Sequence, residues 1–177
     1  MAFEETAEYF NDTATALAAE GFHDEAVVCL KKGLLIDPYN GILWFNLGLS
    51  YRALHRSIDS VSALTEAAKL SPDDADIWDT LGIVLFEIGS YKEASIAYKQ
   101  ALKLDTFQGR IWNNYGTLLF SQKKYDDARQ AFESAIALDP NMGDAVFNLR
   151  DTYLELGQSE RAKICDKILD DLNYGPK

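Results

Sequence analysis

The chain has 177 residues, 47% of them hydrophobic and 25% charged, a balance that excludes an intrinsically disordered segment. Its formal net charge of -11 excludes a protein dependent on phosphate contacts, because nucleic-acid affinity comes from Lys and Arg displacing counterions, so neither nucleic acid nor an anionic membrane is an expected partner. No run approaches the roughly 18 apolar residues that a membrane span needs, and the first residues lack the basic-then-apolar order of a secretory signal. The expectation is a cytoplasmic protein without membrane insertion.

In chain order the sequence repeats itself with a period of 34. The first segment, 7–40, is the least regular: Phe10, Ala14 and Leu17 lead to a break at Gly21. Asp24 is placed to cap a second helix carrying Ala26, Leu30 and Gly33, which ends at Asp37-Pro38. Glu4, Glu5, Glu8, Asn11 and Asp12 suit a terminal unit with solvent on one side. The second, 41–74, reads Trp44, Leu47, Gly48 and Tyr51, then Leu64, Ala67 and Pro72; His55-Arg56-Ser57 replaces a glycine turn, and Ser60 stands where a small Ala lets two helices approach. The third, 75–108, has Trp78, Leu81, Gly82, Gly89, Ala94, Tyr98 and Ala101, with Thr106 in place of the closing Pro, so its exit is expected to be less rigid. The fourth, 109–142, has Trp112, Tyr115, Gly116, Ala128, Phe132, Ala135 and Pro140. The fifth, 143–176, puts Arg150 in the Gly place and Asp166 in the aromatic place. A carboxylate is costly in a core, so the segment from about Ser159 to Leu172 is expected to be a capping helix with one solvent face, followed by a frayed tail from Asn173 to Lys177.

The order Trp, two residues, Leu-Gly, two residues, Tyr, and later Ala, an aromatic, Ala and Pro resembles the tetratricopeptide repeat (TPR), and the likeness covers nearly the whole chain. The resemblance implies an all-α, right-handed α-solenoid of five helix-turn-helix units, about ten helices, as a single domain over 1–177 whose last unit is degenerate. Small residues at Gly48, Gly82 and Gly116 let paired helices approach while the Trp, Leu and Tyr places fill the layer between them.

In proteins of this family the first helix of each repeat lines a concave groove for an extended or helical peptide. Carried onto this chain, the groove places include Phe45, Asn46, Leu49 and Arg52, then Asp79, Thr80, Ile83 and Phe86. Further along they include Arg110, Asn113, Asn114, Thr117 and Phe120, then Phe147, Asn148 and Asp151. Asn46, Asn114 and Asn148 share one place, with Thr80 between; an amide offers a donor and an acceptor, which suits holding a peptide backbone. Phe45, Phe86, Phe120 and Phe147 are candidate apolar anchors, together with Ile42, Leu49, Ile83 and Leu154. Eight of the thirty groove places are acidic and two basic, which leans towards a partner segment carrying Lys or Arg.

A clamp for an acidic C-terminus, as in co-chaperones of this family, needs cations that no register supplies: its Lys and Asn places hold Phe45 and Leu49, or Asp79 and Ile83. An enzyme is not expected either. His23 and His55 both fall near the turn between paired helices, no metal-ligand spacing or glycine-rich phosphate loop occurs, and Cys29 lies off the helical face of His23. Cys29 and Cys165, four periods apart, read as thiols in a reducing compartment, and no cofactor or metal is expected. The sequence thus points to a non-catalytic adaptor that binds a partner peptide. It leaves open a self-associating scaffold, a homo-oligomer with the groove self-occupied, and, further off, a secretion-type chaperone.

Overall fold

The computed structural model describes residues 5–174. Among them there are ten α-helices and no strand: α1 (Ala7–Ala19), α2 (His23–Ile36), α3 (Gly41–Ala53), α4 (Ser57–Leu70), α5 (Ala75–Glu87), α6 (Tyr91–Leu104), α7 (Gly109–Ser121), α8 (Tyr125–Leu138), α9 (Gly143–Glu155) and α10 (Ser159–Asp171). They divide into two compact units, one up to Ser90 and one from Tyr91. In the N-terminal unit α1 pairs with α2 and α3 with α4, with α2 on α3, α4 on α5 and α1 touching α3. In the C-terminal unit α7 pairs with α8 and α9 with α10, with α6 on α7, α8 on α9 and α7 touching α9.

Each odd-numbered helix stops for the same reason. Gly21, His55, Gly89, Lys123 and Gly157, one period apart, all take positive φ, between 57 and 87°. That left-handed residue turns the chain so that the following amide reaches back to a carbonyl of the last turn: Phe22 to Leu17 at 2.9 Å, Arg56 to Tyr51 at 2.8 Å, and Lys124 to Leu119 at 3.0 Å. The starts are equally local. Asn40 Oδ1 accepts from the amides of Ile42 and Leu43 at 3.1 and 3.2 Å, and Asp74 Oδ1 from those of Asp76 and Ile77 at 2.9 and 3.4 Å. Asp24 does not cap α2. It lies inside the first turn, where its charge faces the helix N-terminus, and the cap residue is Phe22.

The recurring Trp does more than fill a layer. The indole N–H of Trp44 donates to the Pro38 carbonyl, that of Trp78 to the Pro72 carbonyl and that of Trp112 to the Thr106 carbonyl, each at 2.9 Å. Because the acceptor is main chain, Thr106 serves as well as Pro, and the turn into α7 carries the same tie as the turns into α3 and α5.

The core of the N-terminal unit centres on Leu30, Leu43, Leu47 and Tyr51, closed by Ala14, Ala26 and Ala63. That of the C-terminal unit centres on Leu119, Phe132, Val146, Leu149 and Tyr153 with Cys165 and Leu169. Close approach depends on the missing side chains: a Cβ on Gly48 would lie 2.6 Å from Leu64 Cγ, and one on Gly116 2.6 Å from Phe132 Cε1. Ser60, fully buried, takes the small place of α4 and its Oγ donates to the Gly48 carbonyl at 2.7 Å. In the last pair both partners of this contact change together. Arg150 replaces the Gly and Asp166 the aromatic, the two side chains lie 3.7 Å apart, and Asp166 stays about half exposed, so no carboxylate is buried. The tail departs from the frayed expectation over its first two residues: Asn173, at φ 51°, closes α10 with the same left-handed turn, the Tyr174 amide reaching back to the Leu169 carbonyl at 2.9 Å, and Tyr174 packs beside Phe147 with its hydroxyl donating to Asp144. The rest of that tail, and Glu4 at the other end, lie outside the described residues.

Candidate functional site

In the N-terminal unit the candidate residues sit on α3 and α5, with α1 beside them. Asn46 Nδ2 donates to Asn11 Oδ1 at 2.8 Å, so one amide N–H ties α3 to α1 while Asn46 Oδ1 and the second N–H are left over. Arg52 is held by Glu87 of α5, with Nη2 to Oε1 at 2.6 Å and Nε to Oε1 at 3.0 Å. Both side chains are more than a third exposed, so the pair contributes at most about 1 kcal/mol, and its value lies in neutralising the cation. Phe45 is partly buried against Ala67, Ala68 and Ile77. Asp79 and Thr80 are buried, at 0% and 8% exposure, and Ile83 and Phe86 are half-buried. Ile42 and Leu49 stand out at 64% and 37%.

Between α1, α2 and α3 lies a cavity of about 150 Å³ with walls from Ala14, Thr15, Ala18, His23, Leu30 and Leu49. Thr15 and Leu49, both exposed, mark its mouth. His23 borders this space, while its Nδ1 is closed off from solvent and has no hydrogen-bond partner. Spacing places His23 near a turn; it does not reveal the orphaned nitrogen.

The C-terminal unit repeats the arrangement on α7 and α9. Asn148 Nδ2 donates to Asn113 Oδ1 at 3.0 Å, and Thr117 Oγ donates to the Asn113 carbonyl, also at 3.0 Å. Asn114, one place on from Asn113, is half-buried. Phe120 packs edge-on against Tyr125, ring centres 5.3 Å apart, and the Tyr125 hydroxyl donates to Glu155, which pushes its pKa above the ordinary phenol value. The ring of Phe147 has the guanidinium of Arg150 4.1 Å from its centre and the Tyr174 ring centre 6.5 Å away. Arg150 also holds Asp151, Nη2 to Oδ1 2.8 Å, and Arg110 bonds Gln108 at 3.0 Å. Thr117, Phe120, Phe132, Asn148 and Asp151 surround a remnant of about 40 Å³.

Of the expected anchors, then, Phe45, Phe86, Phe120 and Phe147 are packed half-in, whereas Ile42, Leu49 and Leu154 face outward. Among the described residues no group of three His, Cys, Asp or Glu side chains is placed to hold a metal ion, and no helix is long and apolar enough to cross a membrane.

Two family models, each described as a tetratricopeptide repeat, match residues 45–108 and 119–165, together more than half of the chain. The chain belongs to the tetratricopeptide repeat family, and its fold is the all-α helix-turn-helix solenoid of that family. No curated protein matches it in sequence. Among solved structures, a crystal structure of MamA is 24% identical with a TM-score of 0.85, covering 90% of this chain and 94% of its own. A MamA chain running from residue 41 to the end, from Desulfovibrio magneticus RS-1, is 17% identical with a TM-score of 0.87 over 94% of each. YrrB, described as a TPR protein with an unusual peptide-binding site, is 22% identical with a TM-score of 0.77, covering 93% of this chain and 85% of its own. At these identities the likeness is one of fold.

Proposed function

We propose that this chain is a non-catalytic adaptor that captures an extended or helical segment of a partner protein on its odd-numbered helices. The observation that carries the reading is the outward face of α1 and α3: Ile42 and Leu49 are exposed, Leu49 at the mouth of an apolar cavity, while Glu8 and Asp12 on α1 carry no ion pair to any described residue. Apolar side chains left in water next to uncompensated carboxylates fit a partner segment with apolar anchors and Lys or Arg. On α7 and α9 the same role falls to Arg110, Asn114, Thr117, Phe120, Phe147, Asn148 and Asp151, and on α3 and α5 to Phe45, Asn46, Arg52, Ile83 and Phe86 at the edges of the contact. Asp79 and Thr80 of α5 belong to the same set and are buried. YrrB, as a TPR protein with a peptide-binding site, lends the reading precedent within the fold. Two thiols and strong acidity fit a reducing, cytoplasmic setting.

A second reading, a homo-oligomeric scaffold, is favoured by the other side of the N-terminal unit. There a groove of about 620 Å³ runs between α2 and α4, floored by Trp44, Leu47 and Tyr51, and Leu35 and Ile58 nearby are 86% and 79% exposed.

Affinity capture with the wild type and with Ile42→Ser/Leu49→Ser tests the adaptor. Both sites are exposed, so the variant folds, and the bound proteins are expected to disappear with it. Retention of the same proteins refutes capture on the α1–α3 face. Sedimentation velocity at rising concentration separates the second reading, which requires mass to grow and to stop growing in Leu35→Ser/Ile58→Ser.

A further inference from the structure

The cavity between α1, α2 and α3 has a counterpart three periods along the chain, and the two are furnished differently. Ala18 corresponds to Phe120, His23 to Tyr125 and Leu30 to Phe132, whereas Thr15 and Asn46 correspond to the like residues Thr117 and Asn148. At each of the three places where the C-terminal unit has an aromatic ring, the N-terminal unit has a smaller side chain. In the C-terminal unit the Phe120 ring, set edge-on to Tyr125, leaves about 40 Å³; in the N-terminal unit about 150 Å³ stays open to the α1–α3 face. A cavity of about 150 Å³ with apolar walls is large enough to take a benzene ring.

A further observation bears on what accompanies the ring. Along α1, Asp12 and Glu8 lie one and two turns before Thr15 at the mouth, on the same helical face and unpaired among the described residues. From Thr15 back to Glu8 is about 10 Å of helix, the length of about three residues of extended chain.

We propose that this cavity is the seat of an aromatic side chain, Tyr or Phe, from a partner segment, with a Lys or Arg two or three residues away lying against Asp12 and Glu8. The partner's ring takes the place that Phe120 fills in the C-terminal unit. The inference rests on the proposed capture on α1 and α3 and names the kind of residue captured there.

The test uses the full chain labelled with nitrogen-15 and the synthetic peptide Lys-Ala-Tyr-Ala-Lys, blocked at both ends, with Phe, Ala and Glu-for-Lys versions as comparisons. The expected result is saturable shifts at Thr15, Ala18, Asn46 and Leu49, with affinity at least about tenfold higher for Tyr than for Ala and weakened by salt. Ala18→Phe, which installs the ring that the fourth repeat already carries, keeps the fold and abolishes the shifts. The Phe peptide binds as the Tyr peptide does. Equal binding of the Tyr and Ala peptides, or unchanged binding to Ala18→Phe, overturns the proposal. So does the appearance of the same shifts without peptide as protein concentration rises, which makes a second copy the occupant. If the peptides fail while Ile42→Ser/Leu49→Ser still sheds captured proteins, the cavity assignment falls and the adaptor stands. If those proteins stay bound as well, both fall.

Discussion

Gly116→Ala sets two effects of opposite sign against each other. By helix propensity alone, Ala in the middle of α7 is better than Gly by about 1 kcal/mol. By packing, the new Cβ would lie 2.6, 2.8 and 3.0 Å from Cε1, Cδ1 and Cζ of Phe132, a ring only 1% exposed and enclosed by Leu119, Ala131, Val146 and Leu149. The remnant of about 40 Å³ beside this rigid ring is too small for it to swing clear, and overpacking of this kind costs about 1–3 kcal/mol. Packing should win, leaving a net loss of up to about 2 kcal/mol. The first repeat points to the rescue, because Ala14 and Leu30 occupy the same two places there. Gly116→Ala/Phe132→Leu should be closer to wild type than the two single losses predict, with a coupling of about 1 kcal/mol or more in a double-mutant cycle. Urea titrations followed by far-ultraviolet circular dichroism measure all four proteins, with native-state hydrogen exchange checking that α7–α10 opens as one body. If Gly116→Ala raised the midpoint, the close contact with Phe132 would be absent and the account of the glycine place wrong.

Other consequences follow from the same structure. Lys123→Gly should stabilise by about 0.5–1 kcal/mol, since a left-handed non-glycine residue costs about 1–2 kcal/mol and the extra freedom of glycine in the unfolded chain returns part of it; a lower midpoint refutes the strain at φ 60°. Ser60→Ala should change stability by no more than about 0.5 kcal/mol, because the Gly48 carbonyl keeps its place in the α3 ladder and Ala26, Ala94, Ala128 and Ala162 fill this place elsewhere; a loss above about 1.5 kcal/mol in the same titration contradicts that. Burial, with Asp166 adding to it, pushes the Cys165 thiol up, and burial with the bond to Glu133 pushes the Tyr153 phenol up. The folded protein therefore holds both protons more tightly than the unfolded chain does. This support is complete below the unfolded thiol pKa, about 8.5–9, and is lost as pH rises through the folded values. The urea midpoint should fall between neutral and alkaline pH, and fall less in Cys165→Ala; an equal fall in both removes the thiol from the explanation.

The helical class was legible because the residues that announce it act locally or on the next helix. Trp, Gly and Pro at one period mark where helices approach and end, and Gly48 and Gly116 do lie against Leu64 and Phe132. Which place faces which was less visible. Arg150 and Asp166 read separately as two departures, although they are the two sides of one contact, sixteen residues apart like Gly48 and Leu64. The asparagines read as hands for a peptide, yet Asn46 and Asn148 each spend an N–H on the preceding odd helix. A signal for this was present: Asn11–Asn46, Arg52–Glu87 and Asn113–Asn148 are all separated by 35, one period plus one. His55 and Lys123 fall in step with Gly21, Gly89 and Gly157, which marks the left-handed place even without glycine. The orphaned nitrogen of His23 and the size of the cavity beside it depend on side-chain volumes summed over three helices, which no single spacing encodes.

The ties from Trp44, Trp78 and Trp112 to the chain before each helix also make the protein its own optical gauge. An indole whose N–H is bound to a carbonyl emits differently from one that has lost that bond to water, and each of the three sits at a different joint. With two of the three changed to Phe, the remaining emission reports the opening of one turn alone: the entry to α3, to α5 or to α7. Three such proteins would show where along the chain unfolding begins, and whether a captured peptide quiets the joint at Trp44 before the others.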